Sequence, residues 1–117
     1  MDASTIRFGL VEIEGRSYDR DVVIDGGRVS KRAKKASKVY RAEYGHTPLS
    51  VAEWLPWGGD RLIVGMGAYG SLPIMPEVYR EAEERGVEIV AVDTERAIEL
   101  IRASRPKDVH AVLHITC

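Results

Sequence analysis

Cysteine is almost missing from this chain of 117 residues: Cys117, at the last position, is the only one. No intramolecular disulfide can form, and nothing in the composition argues for an oxidising compartment. Without clustered Cys and His there is nothing to hold a structural zinc ion, and neither a metal nor a cofactor is expected. Long apolar runs are missing too. Val87 to Val92 is nearly all apolar, yet it falls far short of the roughly 20 residues that cross a bilayer as a helix, so no membrane partner is expected. The opening Met1-Asp2-Ala3-Ser4-Thr5 has neither the basic start nor the apolar block of a signal peptide, which predicts a cytoplasmic location. Neither sign of charge dominates: 17 Lys and Arg face 18 Asp and Glu, a net charge of −1. Internal repeats and low-complexity tracts are absent.

What is present suits one domain, since typical domains run about 100–150 residues and 44% hydrophobic content can build a core. The even charge balance hides an asymmetry. Lys31, Arg32, Lys34, Lys35, Lys38 and Arg41 place six positive charges within eleven residues, leaving eleven basic against eighteen acidic residues elsewhere. Such a segment is either a solvated loop or exposed helix, or a surface for an anion or RNA.

Hydrophobic periodicity orders the chain. Ile6, Phe8 and Leu10 alternate with polar residues toward Ile13, predicting a half-buried strand, with Gly15-Arg16 as the following turn. Tyr18 to Ile24 reads as a second strand, and Asp25-Gly26-Gly27 as a turn before Arg28-Val29-Ser30. An antiparallel hairpin or meander follows. Residues 31–48 carry no clear period. Ser50-Val51-Ala52-Glu53 has capping-box spacing and predicts a short helix to about Leu55, burying Val51, Trp54 and Leu55. From Asp60 the pattern becomes strand, loop, helix, strand, helix, strand. Leu62-Ile63-Val64 is a compact apolar strand, and Gly65 to Pro76 a loop. Glu77 to Arg85 is helical, with Val78, Tyr79 and Ala82 on one face and Gly86 at its end. Val87 to Val92 suits a strand covered on both faces. Asp93 or Thr94 caps a helix from Glu95 to about Ala103, and Val109 to Ile115 is the last strand. This alternation predicts an α/β fold, with the strands near 62–64 and 87–92 parallel.

Gly65-Met66-Gly67-Ala68-Tyr69-Gly70 is a literal G-x-G-x-x-G after a strand, and Asp93 ends the next strand. In a dinucleotide site such glycines admit a pyrophosphate and the acid holds a ribose. Here Pro73 and Pro76 delay the helix by about two turns, so its N–H groups cannot face the phosphates as that site requires. The motif then reads as a tight turn leaving a buried strand, or as a loop for a smaller anion or polar ligand. Ligands of open α/β sheets bind at the carboxyl ends of strands, where this loop and Asp93-Thr94 would both lie.

His110 and His114 would span about 13 Å along a strand, too far to share an ion, and read as packed or surface histidines beside Val112. His46 lies in a loop beside Tyr44 and Thr47. Trp54 is expected to pack inward, while Trp57, next to two glycines, could mark a ligand or partner contact. No Ser-His-Asp or Cys-His arrangement is readable.

His46 and Leu49 lead toward Trp54-Leu55, and Val64-Gly65-Met66-Gly67, Pro76, Gly86-Val87-Glu88, Asp93-Thr94-x-x-Ala97 and the closing strand follow in order. In this order the chain resembles the domain-of-unknown-function 498 family, the small MTH-type domain. That family includes the adipogenesis-associated domain protein and a mitochondrial complex I assembly factor. The chain departs from it at Met66, where the family usually has Thr, and at Ile101-Arg102, where it often has Tyr-Asn. The resemblance implies a single MTH-type domain over residues 1–117, with N-terminal strands in 5–30 and an α/β part over 46–116. It implies a mixed central sheet, flanking helices and an additional N-terminal β-hairpin layer. It assigns no reaction and no catalytic residue.

The expected function is therefore a non-enzymatic binding or assembly module, taking a protein partner or a small polar ligand. Its expected crevice is formed by Gly65, Gly67, Tyr69, Asp93 and Thr94, with His46 as a wall. The alternative is a small-molecule enzyme in the same crevice, with His46 or Asp93 as base. A third reading, nucleic acid along Lys31–Arg41, is opposed by the net charge of −1. Edges in the N-terminal meander could pair across a homodimer.

Overall fold

A computed structural model describes residues 1–117. Eight strands form two sheets. β1 (Ala3–Arg7), β2 (Leu10–Ile13) and β3 (Arg16–Tyr18) make an antiparallel sheet in the order β1-β2-β3. β4 (Val22–Asp25), β5 (Arg28–Lys31), β6 (Arg61–Met66), β7 (Glu88–Val92) and β8 (His110–His114) make a mixed sheet in the order β5-β4-β8-β6-β7. β4 is antiparallel to both β5 and β8, while β6 is parallel to both β8 and β7. A 3-10 turn (Lys34–Tyr40) runs into the one-turn helix α1 (Arg41–Tyr44); α2 (Pro76–Arg85) and α3 (Thr94–Arg102) are the longer helices. No helix is long and apolar enough to cross a membrane.

The period of two along the central strands builds two cores. Val22, Ile24, Ile63, Ala111 and Leu113 face one side, where α3 and the three-stranded sheet add Ile98, Ile101, Val11 and Ile13. Val23, Leu62, Val64 and Val112 face the other, against α2 and the 49–72 segment through Val78, Ala82, Leu49 and Leu72. The α/β fold with a mixed central sheet and an extra N-terminal β layer is thus as the sequence reads it.

Five details differ. The predicted strand to Ile13 folds back on itself as β1 and β2. The turn at Phe8-Gly9 and an irregular register between Thr5 and Arg7 put Ile6 and Phe8 outside, about half exposed. The predicted strand Tyr18 to Ile24 is cut into β3 and β4, which belong to different sheets. Residues 50–55 form no helix, and Val51 and Trp54 lie exposed, because Glu53 turns inward to Arg32 instead of back to Ser50. β7 is an edge strand with most residues only half-buried, since nothing pairs beyond it. Gly65 belongs to β6, not to the loop. The two later helices form as expected: Asp93 accepts a hydrogen bond from the Arg96 amide as the cap of α3, and Gly86 ends α2 with φ +69°.

Candidate functional site

Strand register assembles the most polar part of the interior. β4 pairs with β8 so that Val22 faces Leu113, and with β5 so that Val22 faces Lys31. One step further along both ladders, Asp21 lies between His114 and Arg32. Its Oδ2 meets His114 Nδ1 at 2.9 Å and accepts from Arg32 Nη1 at 3.0 Å, while Oδ1 accepts from the Ile115 amide at 3.1 Å. Arg32 also donates through Nε to Glu53 Oε1 at 2.7 Å, and through Nη2 to Glu53 Oε2 and the Pro48 carbonyl, both at 3.0 Å. Ser37 donates to Glu53 Oε2 and meets the Ser50 hydroxyl at 2.7 Å. Arg32, Asp21, Glu53, Ser37 and Ser50 are all buried.

The network fixes protonation states. Burial pulls the Asp21 carboxyl upward, but the hydrogen bond and charge of His114, the Ile115 amide and Arg32 together hold it below its ordinary value. Burial pulls the Arg32 guanidinium downward, and Glu53 and Asp21 outweigh this to raise it. One buried cation, Arg32, thus faces two buried carboxylates, with the His114 ring on Asp21 as a further partner.

Above this floor opens a cavity of about 250 Å³, lined by Lys34, Lys38, Arg41, His46, Thr47 and His114, with Arg32 and Leu72 behind them. Lys34, Lys38 and Arg41 make no ion pair within 4.0 Å, and no carboxylate lines the cavity. Such a concavity is suited to hold an anion by charge-assisted hydrogen bonds.

Of the residues expected at the glycine crevice, His46 lines this cavity. Gly67 and Thr94 meet at the carboxyl ends of β6 and β7: the Gly67 amide donates to Thr94 Oγ1 at 2.8 Å, and the Thr94 amide to the Gly67 carbonyl at 3.1 Å. The C-terminal segment fills the space between them. Thr94 Oγ1 donates to the His114 carbonyl, Ala68 N–H to the Thr116 carbonyl, and Ser71 N–H to that of Cys117. A Cβ on Gly67 would sit 2.0 Å from the Cys117 carbonyl carbon, and its φ is +100°. Gly65 is enclosed as well, less tightly, with Leu113 Cδ2 2.9 Å from a Cβ there. Asp93 is occupied as a cap, and Tyr69 stands 78% exposed against Phe8, ring centroids 6.3 Å apart. The structure therefore brings Gly67 and Thr94 together as the clamp that holds His114. It separates them from His46, Tyr69 and the Asp93 carboxylate.

The sequence reading does not single out Asp21, and it takes Arg32 as part of a basic run, Glu53 as a helix cap and His114 as a packed or surface histidine. A signal for them exists. Asp21 and Asp25 have the same four-residue spacing as His110 and His114, and antiparallel pairing sets Asp25 opposite His110 and Asp21 opposite His114.

The comparisons with known proteins agree with this fold. A family model described as a protein of unknown function, DUF498/DUF598, matches residues 3–114. The conserved hypothetical protein PH1505 from Pyrococcus horikoshii OT3 is similar at 30% identity over 100% of both chains, with a TM-score of 0.73. MT938 shares the fold at 24% identity, covering 98% of this chain and 97% of its own, TM-score 0.69. A Bordetella parapertussis protein does so at 19% identity, covering 97% and 93%, TM-score 0.60. No curated protein matches. With the family model spanning nearly all of its length, this chain belongs to the DUF498/DUF598 family of proteins of unknown function.

Proposed function

We propose that the protein is a binding module for a small anion, seated in the cavity between the basic segment and the carboxyl end of β8. The observation that carries this reading is the convergence of Lys34, Lys38 and Arg41, none of them ion-paired, with His46 and His114 on one concave site free of carboxylates. The buried Arg32–Asp21–Glu53 network supports it by fixing the strand and the loop that carry these groups. Of Gly65, Gly67, Tyr69, Asp93 and Thr94, which the sequence suggests as a binding crevice, Gly67 and Thr94 take a supporting part by setting the His114 backbone.

One observation favours a second reading, a small-molecule enzyme. Asp21 holds His114 Nδ1, the arrangement that orients an imidazole as a general base, and His114 lines the cavity. It takes the same anionic ligand as substrate.

Titration calorimetry with inorganic phosphate tests the binding reading. The protein should bind with an affinity that falls as salt rises, and Lys34→Ala/Lys38→Ala should lose that binding with an unchanged melting temperature. Equal binding by the double variant, or no heat at saturating phosphate, overturns it.

A further inference from the structure

The basic cavity does not end at Lys34 and Lys38. On their other side lies a second cavity of about 360 Å³, lined by Arg20, Lys31 and Thr116 together with Asp19 and Asp21. Arg32, Lys34 and Lys38 line both cavities, so the two are lobes on either side of one lysine pair. Arg32 is a wall between them, not a ligand group, because Nε, Nη1 and Nη2 are all engaged by Glu53, Asp21 and Pro48. The two lysines have no ion-pair partner and are reachable from both lobes. Each lobe adds cations of its own: Arg41 in the inner one, Arg20 and Lys31 in the outer one. Asp21 has both oxygens committed, so Asp19 is the one remaining carboxylate in the outer lobe.

We infer that the two lobes take one small ligand carrying two separated anionic groups, of the class of a sugar bisphosphate. One group lies among Lys34, Lys38 and Arg41, and the other among Lys34, Lys38, Arg20 and Lys31. This rests on the reading of the inner cavity as an anion site and extends it to the number and spacing of the charges. Two lobes sharing a wall make the second contact intramolecular, so a doubly charged ligand gains far more than a factor of two over a singly charged one. The size of the lobes also separates such a ligand from a nucleic acid, which would need a continuous open track for successive phosphates.

The test compares a hexose 1,6-bisphosphate with the hexose 6-phosphate and with inorganic phosphate by calorimetry on the full chain. The expected result is bisphosphate binding at least about tenfold tighter than either monophosphate, which is ~1.4 kcal/mol. Arg20→Ala/Lys31→Ala should bring the bisphosphate down to monophosphate affinity while leaving the monophosphate unchanged. Equal affinity for all three ligands overturns the two-lobed ligand and leaves the anion site standing. No binding of any of them overturns both. A single-stranded oligonucleotide that binds more tightly than the bisphosphate, with an affinity that grows with length, overturns the small-ligand class. A variant circular dichroism spectrum matching the parent shows that a lost advantage is not a lost fold.

Discussion

The ladder between β4 and β8 carries an Asp–His pair at each end, and the two pairs are built differently. At the carboxyl end of β8, Asp21 is closed in from both sides, by His114 on β8 and Arg32 beyond β5, and every oxygen has a donor. At the amino end, Asp25 stands between His110 on β8 and Arg28 on β5, yet the one ion-pair contact of its carboxylate is with His110. His110 Nδ1 lies 3.3 Å from Asp25 Oδ1 but makes no hydrogen bond, although the residue is only 9% exposed. Three glycines, Gly26, Gly58 and Gly59, approach that ring closely: a Cβ on Gly59 would stand 2.3 Å from His110 Cδ2. The same residue pair thus yields a fully hydrogen-bonded support at one end and an unbonded ring closely approached by glycine backbone at the other. Each aspartate has a neighbour on either side; what decides is the arginine, since Arg32 folds inward onto Asp21 while Arg28, opposite Asp25, stays exposed.

The largest test of this contrast removes the buried cation that only one end possesses. Arg32→Ala leaves Asp21 and Glu53 buried with no compensating charge and should destabilise the fold by about 3–5 kcal/mol in urea unfolding. A loss under about 1 kcal/mol, within the range of an ordinary surface pair, would show that the network is not what holds this end together. Replacing Arg32, Asp21 and Glu53 together with apolar residues of similar volume should cost far less than Arg32→Ala alone, because the penalty comes from the unpaired charges.

Why the bonded end stays hidden in the sequence follows from these contacts. The elements after Asp60 are legible because each announces itself locally: the apolar run of β6, the Gly86 stop, the Asp93 cap and the inward stripe of Ala97 and Ile101. The network is the reverse case. Ser50 and Glu53 have the spacing of a helix cap, yet Glu53 is taken by Arg32, 21 positions away, in a charge-assisted pair that outweighs a local amide. The basic run likewise reads as a solvated face until one sees Arg32 fold inward and Lys34, Lys38 and Arg41 arrange themselves round His114. The glycine motif shows where strands end but not what fills the space. That depends on the C-terminal segment, whose strand lies between β4 and β6 only in the tertiary structure.

The amino end should break by shape instead of charge. Gly59→Ala forces a methyl against the His110 ring and should cost about 1–3 kcal/mol, the usual range for overpacking. The His110 ring proton resonances should move while those of His114 stay in place. If both rings respond alike, the two ends are mechanically coupled and the contrast fails. Thr94→Val acts at the carboxyl end on a similar or smaller scale. It leaves the Gly67 amide without its acceptor and the His114 carbonyl without its donor, an expected loss of about 1–3 kcal/mol. A loss of phosphate affinity greater than this stability change explains would show that the clamp sets the cavity as well as the fold.

The smallest effect at neutral pH is the sharpest discriminator in acid. The folded protein holds Asp21 below its ordinary value, so this carboxylate adds stability above about pH 4, the unfolded range, and that stability drains away as pH falls through its folded value. The Ile115 amide donates to Asp21 Oδ1, whereas at the other end the Gly27 amide donates to the Val109 carbonyl, which does not titrate. Lowering the pH below about 4 should therefore speed hydrogen exchange at Ile115, after correction for the intrinsic rate, before it does so at Gly27. Asp21→Asn keeps an acceptor and removes the charge that titrates. It should flatten the pH dependence at Ile115 even if it lowers the protection throughout. An unaltered pH profile in that variant would mean that acid enters the structure elsewhere, and that the bonded pair and the open pair differ in geometry alone.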